Sequence, residues 1–360
     1  MRTAEVAVIG TGWCGGIRAE VLTKSALVDA LHICEIRSER LAEMRALTNP
    51  ATATEDYQDI VANPDIAVVY ISTTPEQTHY PIARDCLKAG KNVLLEKPIA
   101  LEFWEADELI ALSRQKRLKF TIGYSQRFNP KIAYAKKSIV EGKLGKVVNV
   151  MVSRHLSRNL GKKIANRVKL SPAAMESTHD LDFVFWLLDH TKPAKIYSQG
   201  AYGYMKELNG SYDCMWSTVT MEDGALVVIG GGWNLPPSYP NYCSTWIEIT
   251  GTEGALILDD TARDHWLNTV SDGTQYPMST MPGEQVDHVF AGQMGPETLH
   301  FLEDCLLDRP VMVDVTHARM VMEAYSAADL SAEIGEPVNL PLSNYAIAQL
   351  ADMKAAQQNA

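Results

Sequence analysis

Four apolar residues, Val6-Ala7-Val8-Ile9, run straight into Gly10-Thr11-Gly12-Trp13-Cys14-Gly15-Gly16, and a helix-like segment follows to about Leu22. A GxGxxG with a strand before it and a helix after it leaves few folds open. The first glycine makes the tight turn, the second lets backbone approach a pyrophosphate, and the third lets helix pack on strand. Gly10, Thr11, Gly12, Trp13, Cys14 and Gly15 are therefore candidate cofactor contacts.

The next strand, Ala30 to Cys34, ends at Glu35, twenty residues after Gly15. A dinucleotide-binding unit places there the acid that bonds the adenosine ribose. Glu35, with Ile36 and Arg37 beside it, favours NAD, because a carboxylate repels a 2′-phosphate. Arg37 and Arg40 leave NADP open, since an arginine here can grip that phosphate, and as a helix start both would be solvated.

Ile66 to Ile71 reads as a buried strand ending in Ser72-Thr73-Thr74-Pro75, and a helix from about Gln77 to Ala89 follows. Those hydroxyls can reach cofactor phosphate or ribose, although capping the helix is their commoner work. His79, in the first turn, reads first as a packing histidine and second as a cofactor contact. Val93-Leu94-Leu95 is another buried strand, from whose carboxyl end Glu96 and Lys97 emerge before Pro98 stops the ladder. Ligands of open α/β sheets bind at such ends. Lys97 is thus a candidate for chemistry, with a plain strand-closing lysine as the alternative. Phe120 to Tyr124 leads into Ser125-Gln126-Arg127-Phe128-Asn129-Pro130 and completes five strand-and-helix alternations, a doubly wound parallel sheet.

Beyond Lys131 the pattern becomes strands at 147–153, 195–201, 214–221, 225–231, 244–251 and 255–258, split by turns such as Glu222-Asp223-Gly224. This is an α+β domain with a large, mostly antiparallel open sheet. Inside it lies one strong helix, Glu176 to Leu188, and helices at 297–307 and 316–334 follow. The division expected is 1–124 for cofactor, 125–340 for substrate and oligomer contacts, and 341–360 as a tail that packs back on the first domain or frays. At 360 residues the chain exceeds one core.

Met175-Glu176-Ser177-Thr178-His179-Asp180-Leu181-Asp182 opens the inner helix, with Glu176, His179 and Asp182 spaced by three near one face. A histidine of pKa about 6.5 can take or return a proton at neutral pH. Taken alone, His179 reads first as a structural helix histidine. With Gly10-Thr11-Gly12-Trp13-Cys14-Gly15, Glu96-Lys97-Pro98, Arg127-Phe128-Asn129-Pro130 and His179-Asp180-Leu181-Asp182, in that order and spacing, the chain resembles the glucose-fructose oxidoreductase and inositol dehydrogenase (Gfo/Idh/MocA) family from about residue 4 to 340. The resemblance implies an amino-terminal Rossmann domain and NAD(P)-dependent oxidation or reduction at a secondary carbinol of a sugar, sugar acid or cyclitol. It implies Lys97 as the lysine that holds the reacting hydroxyl, His179 as general base and Asp182 as a supporting acid. Glu96, Gln126 and the Lys97 strand end stand near cofactor, and Arg127, Glu176, Asp182 and Arg167 near substrate. A non-catalytic cofactor-binding sensor, or an enzyme for a non-sugar carbonyl or diol, shares these features.

One position departs from the family. Many members carry an aspartate four residues before the histidine, where this chain has Met175. Glu176, one residue along, can replace it only if the turn is distorted. From Gly142 to Met175 there is no acid, while Arg154, Arg158, Lys162, Lys163, Arg167 and Lys169 fall within sixteen positions. This stretch is either an anion clamp, favouring a carboxylated or phosphorylated substrate, or a solvated loop or subunit contact. Trp233, Tyr239, Tyr242 and Trp246 can stack on sugar rings or pack a homodimer or homotetramer contact. A net charge of −11 and pI near 5.3 argue against nucleic acid and anionic membrane. The six dispersed cysteines, the nine histidines without HExxH or HxH, and the start without a leader segment point to the cytoplasm and no metal site.

Overall fold

The computed structural model describes residues 2–165, 169–261, 266–276 and 285–358. The chain forms two compact units, Met1–Asn129 with Ser279–Arg319 and Pro130–Met278 with Met320–Ala360.

The first unit is built on β1 (Ala4–Ile9), β2 (Val28–Cys34), β3 (Thr52–Thr54), β4 (Ile66–Ile71), β5 (Asn92–Glu96) and β6 (Phe120–Gly123). They lie in the order β3-β2-β1-β4-β5-β6, every pair parallel. This is the doubly wound order, with the switch point between β1 and β4. Val6, Val8, Val68, Tyr70 and Leu94 are buried in one cluster, as strands covered on both faces require. The helices are α1 (Trp13–Thr23), α2 (Ser38–Thr48), α3 (Tyr57–Ala62), α4 (His79–Lys88) and α5 (Phe103–Lys116). α5 starts on a reciprocal cap between Glu102 and Glu105, which satisfies donors its first turn would leave open. β3 escapes a reading by apolar runs, because a three-residue Thr-Ala-Thr edge strand has none.

The helix Met294–Leu307 belongs to this unit, unlike the linear division at residue 124. Phe301 and Leu302 enter the β-sheet cluster, and the Tyr70 hydroxyl donates to the Thr298 carbonyl at 2.9 Å. An apolar helix face announces that it packs, not on which sheet.

In the second unit α6 (Pro130–Val140) precedes β7 (Val147–Ser157), α7 (Arg158–Ala165) and α8 (Thr178–Leu187). The strands β8 (Pro193–Ala201), β9 (Cys214–Met221), β10 (Leu226–Leu235), β11 (Cys243–Gly251) and β12 (Ala255–Asp259) follow. The sheet order is β12-β11-β7-β10-β9-β8, closed by the short strand Val338–Asn339. All its pairs are antiparallel except β7 with β10. Both expected architectures are thus present, each expected strand within a few residues. α7 lies in the basic stretch and turns only Gly161 and Ile164 fully inward. The terminal helix Asn344–Gln358 belongs to the second unit rather than the first, and the Leu342 N–H donates to Glu323 Oε1 at 2.6 Å.

Asp329, on the helix Val315–Ile334, has a buried Oδ1 without a hydrogen-bond partner. Burial pushes its carboxyl up to about 7, with a Ser171 hydrogen bond and the Lys354 charge pulling the other way. The unfolded chain releases that proton near pH 3.9, so this site loses native stability as pH rises from about 4 through 7. Asp329→Asn should therefore raise the thermal midpoint more at about pH 8 than at about pH 5. An equal shift at both would place the titration elsewhere.

Candidate active site

In the first unit the glycine loop packs against the strand ends. Gly10 has φ +82°, and a Cβ there would lie 2.7 Å from the Ser72 carbonyl oxygen. A Cβ on Gly15 would lie 1.8 Å from the Gly10 carbonyl oxygen, so helix α1 can begin only where both are glycine. A Cβ on Gly12, in contrast, meets no atom within 4 Å, and no side chain caps α1. Open space before the uncapped N–H groups of a helix start suits a pyrophosphate. Trp13 is half exposed, and burial pushes the Cys14 thiol up to about 12, which keeps it a thiol.

Glu35 is 5% exposed and accepts from the Thr11 N–H at 3.0 Å and from Arg37 Nε at 3.0 Å. Burial raises its carboxyl, but the bonds from Arg37 and Thr11 outweigh it and hold the group below its ordinary range. A fixed anion thus stands at the end of β2, while Ile36 is largely exposed. Arg40 donates to the Thr11 carbonyl at 2.8 Å, and Arg37 is spent on Glu35, so neither guanidinium stands alone.

At the end of β4, the Ser72 N–H donates to Ile9, the Thr73 and Thr78 hydroxyls share a bond of 2.7 Å, and Thr74 is exposed. His79 is 1% exposed, its Nδ1 2.9 Å from the Pro98 carbonyl and its Nε2 3.0 Å from that of Thr73. Both ring nitrogens serve backbone, so His79 joins the ends of β4 and β5 instead of offering a nitrogen to cofactor. Glu96 is likewise engaged, by Arg18 at 2.7 Å, and Lys97 after it is half-buried. Gln126 lies in the turn Ser125–Phe128 and is half-buried. Arg127 is 4% exposed and donates to the Met312 carbonyl at 2.9 Å, a structural bond in place of the expected substrate contact.

In the second unit the inner helix does not start as an α-helix. Ala173–Ser177 forms a π-turn, and α8 begins at Thr178. The distortion turns Glu176 inward, where Oε1 accepts from Trp233 Nε1 at 2.8 Å and Oε2 lies 3.7 Å from Arg154. Arg154 Nε donates to both Asp180 oxygens, at 2.9 and 3.1 Å, and Nη2 donates to the Glu176 carbonyl. Burial opposes the Arg154 charge, but Asp180 and Glu176 outweigh it and hold it protonated.

Three expectations change here. Glu176 is a buried network member and not a substrate contact. Arg154 leaves the basic stretch for an internal ion pair. Asp182 is 0% exposed, a buried position on the inner helix in place of an open substrate contact. Met175 packs among Leu156, Ile164, Met205 and Trp233, so this position is part of the apolar core. Trp233 fills that core, whereas Trp246 is 40% exposed, so the aromatic residues form no single patch. Arg158 and Lys162 flank the Tyr204 ring, Lys163 and Lys169 are exposed, and Arg167 lies outside the described residues. Between Pro172 and Phe185, His179 alone is not buried. Among the described residues no three His, Cys, Asp or Glu side chains gather for a metal, and no helix is long and apolar enough to cross a membrane.

The buried members were legible in part. Period-two alternation puts Arg154 on the face of Val150, Val152 and Leu156, a signal that its basic neighbours masked.

Comparison with known proteins decides the family. The sequence profile of the oxidoreductase family's NAD-binding Rossmann fold matches residues 4–124, and that of its carboxyl-terminal α/β domain matches 136–340. The chain belongs to the Gfo/Idh/MocA oxidoreductase family. Levoglucosan dehydrogenase of Pseudarthrobacter phenanthrenivorans is 31% identical over 303 residues, covering 73% of this chain and 75% of that relative. Inositol 2-dehydrogenase/D-chiro-inositol 3-dehydrogenase of Lactiplantibacillus plantarum is 30% identical over 190 residues, 51% of this chain and about half, 52%, of that relative. The crystal structure of scyllo-inositol dehydrogenase from Lactobacillus casei with NAD(H) and scyllo-inositol superposes with TM-score 0.80 at 21% identity, over 94% of this chain and 99% of that one. At that identity the likeness is one of fold. The Gfo/Idh/MocA amino-terminal domain binds NAD, and the open loop at Gly12 with the anion at Glu35 fits that cofactor.

Glu35→Ala should weaken NAD binding and narrow the preference for NAD over NADP by about tenfold or more, ~1.4 kcal/mol, in fluorescence titrations with each cofactor. An unchanged ratio would remove Glu35 as the selecting group.

Proposed function

We propose that the chain is an NAD-dependent oxidoreductase that moves a hydride between nicotinamide and the secondary carbinol of a sugar, sugar acid or cyclitol. The carrying observation is His179, the one position between Pro172 and Phe185 that is not fully buried. Inositol and levoglucosan dehydrogenases among the relatives support the substrate class.

Bound NAD supplies the hydride acceptor. Lys97 donates a hydrogen bond to the reacting oxygen and orients it, and His179 takes the hydroxyl proton as the C–H bond breaks. In reduction His179 returns that proton to the forming alcohol. The residues contribute alignment and charge placement, while Glu35 selects the cofactor.

Met175 favours a second reading, a sensor that binds cofactor without turnover, because the apolar core has taken the place of an acid beside the base. Reduction of a non-sugar carbonyl or oxidation of a diol uses the same Lys97 and His179. Free cysteines, six of them, support a reducing cytoplasmic setting. One sheet face exposes Trp216, Leu226, Trp246 and Ile257, which supports a homodimer or homotetramer. A sedimentation mass of a single chain would end the oligomer reading.

A panel of myo-inositol, scyllo-inositol, levoglucosan and a sugar acid, with NAD and NADP and NADH absorbance as readout, tests the enzyme reading. Lys97→Ala and His179→Ala should each lower turnover by about 10²–10⁴-fold while NAD affinity holds within about threefold. Wild-type turnover in either variant would withdraw that residue's role, and NAD binding without turnover on the whole panel would favour the sensor.

A further inference from the structure

We propose that Arg154 is the positioning residue that sets the orientation of His179, an inference that rests on His179 being the proton acceptor. Arg154 is 7% exposed and Asp180 is 0% exposed, so neither touches substrate and any effect must pass through the helix they hold.

A single anchor lets a helix turn about its axis; two anchors on one side do not. Arg154 provides two, at the Glu176 carbonyl within the π-turn and at the Asp180 carboxylate in the first turn of α8. These positions bracket His179, which precedes Asp180 by one residue and so points about 100° away around the helix. Fixing residues 176 and 180 therefore fixes the azimuth of residue 179. The Glu176 carboxylate adds a tie to β10 through Trp233 Nε1 at 2.8 Å, and Met175 packs on the same tryptophan. A π-turn spaces its residues unlike an α-helix, and this guanidinium, reaching from β7 to both sides of the junction at Ser177–Thr178, is a polar anchor that holds its register.

Two variants separate position from bulk stability. Arg154→Lys keeps the charge but replaces a planar fork by one ammonium that cannot reach both anchors. The pair Arg154→Met with Asp180→Leu removes charge and partner together and keeps the core filled. In both, turnover of the fastest panel polyol with NAD should fall about 100-fold, with KM within about threefold. NAD affinity should stay at the wild-type value, and amide exchange should accelerate across Ala173–Leu187. A structural or purely electrostatic role would instead be rescued by lysine. Wild-type turnover in either variant overturns the proposal. His179→Ala is the control: retained turnover there defeats the base assignment itself, whereas its loss beside fully active Arg154 variants defeats only the positioning.

Discussion

Two guanidiniums of this chain, those of Arg18 and Arg154, are taken out of water and met by carboxylates. Arg18 on α1 is 0% exposed and lies 2.7 Å from both Glu96 and Glu297. Arg154 on β7 meets Asp180 and Glu176. Removing one partner of such a buried pair costs about 3–5 kcal/mol, because the other charge stays stranded. Each cluster contains the residue next to a candidate catalytic side chain: Glu96 precedes Lys97 and Asp180 follows His179. The backbone bearing each candidate is thereby fixed by largely buried ion pairs, which is how a site acquires defined geometry from regular elements.

In the first unit the candidate cofactor-side polar groups stand at the strand ends. Thr11, Glu35, Ser72 and Lys97 stand at the carboxyl ends of β1, β2, β4 and β5. His79 ties the last two ends together through the Thr73 and Pro98 carbonyls. A cofactor loop that is open at Gly12 and closed at Gly10 is thus backed by a hydrogen-bonded rim, not by loosely held side chains.

Both sheets were legible along the chain, since apolar runs and alternation mark buried strands and glycine pairs mark turns. The edge strand β3 and helix α7 carried no such signal: one has no apolar run and the other is mostly charged. The allegiance of Met294–Leu307 was hidden for a different reason, because its partners Val6, Tyr70 and Leu94 lie some two to three hundred residues earlier in the chain. Among the candidate site residues, the glycine loop, Glu35, Lys97 and His179 are put forward by spacing and family likeness. Arg127, Glu176 and Asp182 were read as substrate contacts because a polar residue near a motif resembles a ligand, whatever its burial.

The amino-acid sequence by itself determined the local elements and the chemistry on offer: a glycine-rich turn, an acid after the second strand, a lysine closing the fifth, and a histidine on an inner helix. These depend on steric freedom, side-chain periodicity and proton affinity, which act over a few residues. Which charged groups became interior and which remained open was decided only by tertiary structure. Burial is set by neighbours far away in the chain, and the balance of desolvation against ion pairing turned Arg154, Glu176 and Asp180 inward while leaving His179 half-buried.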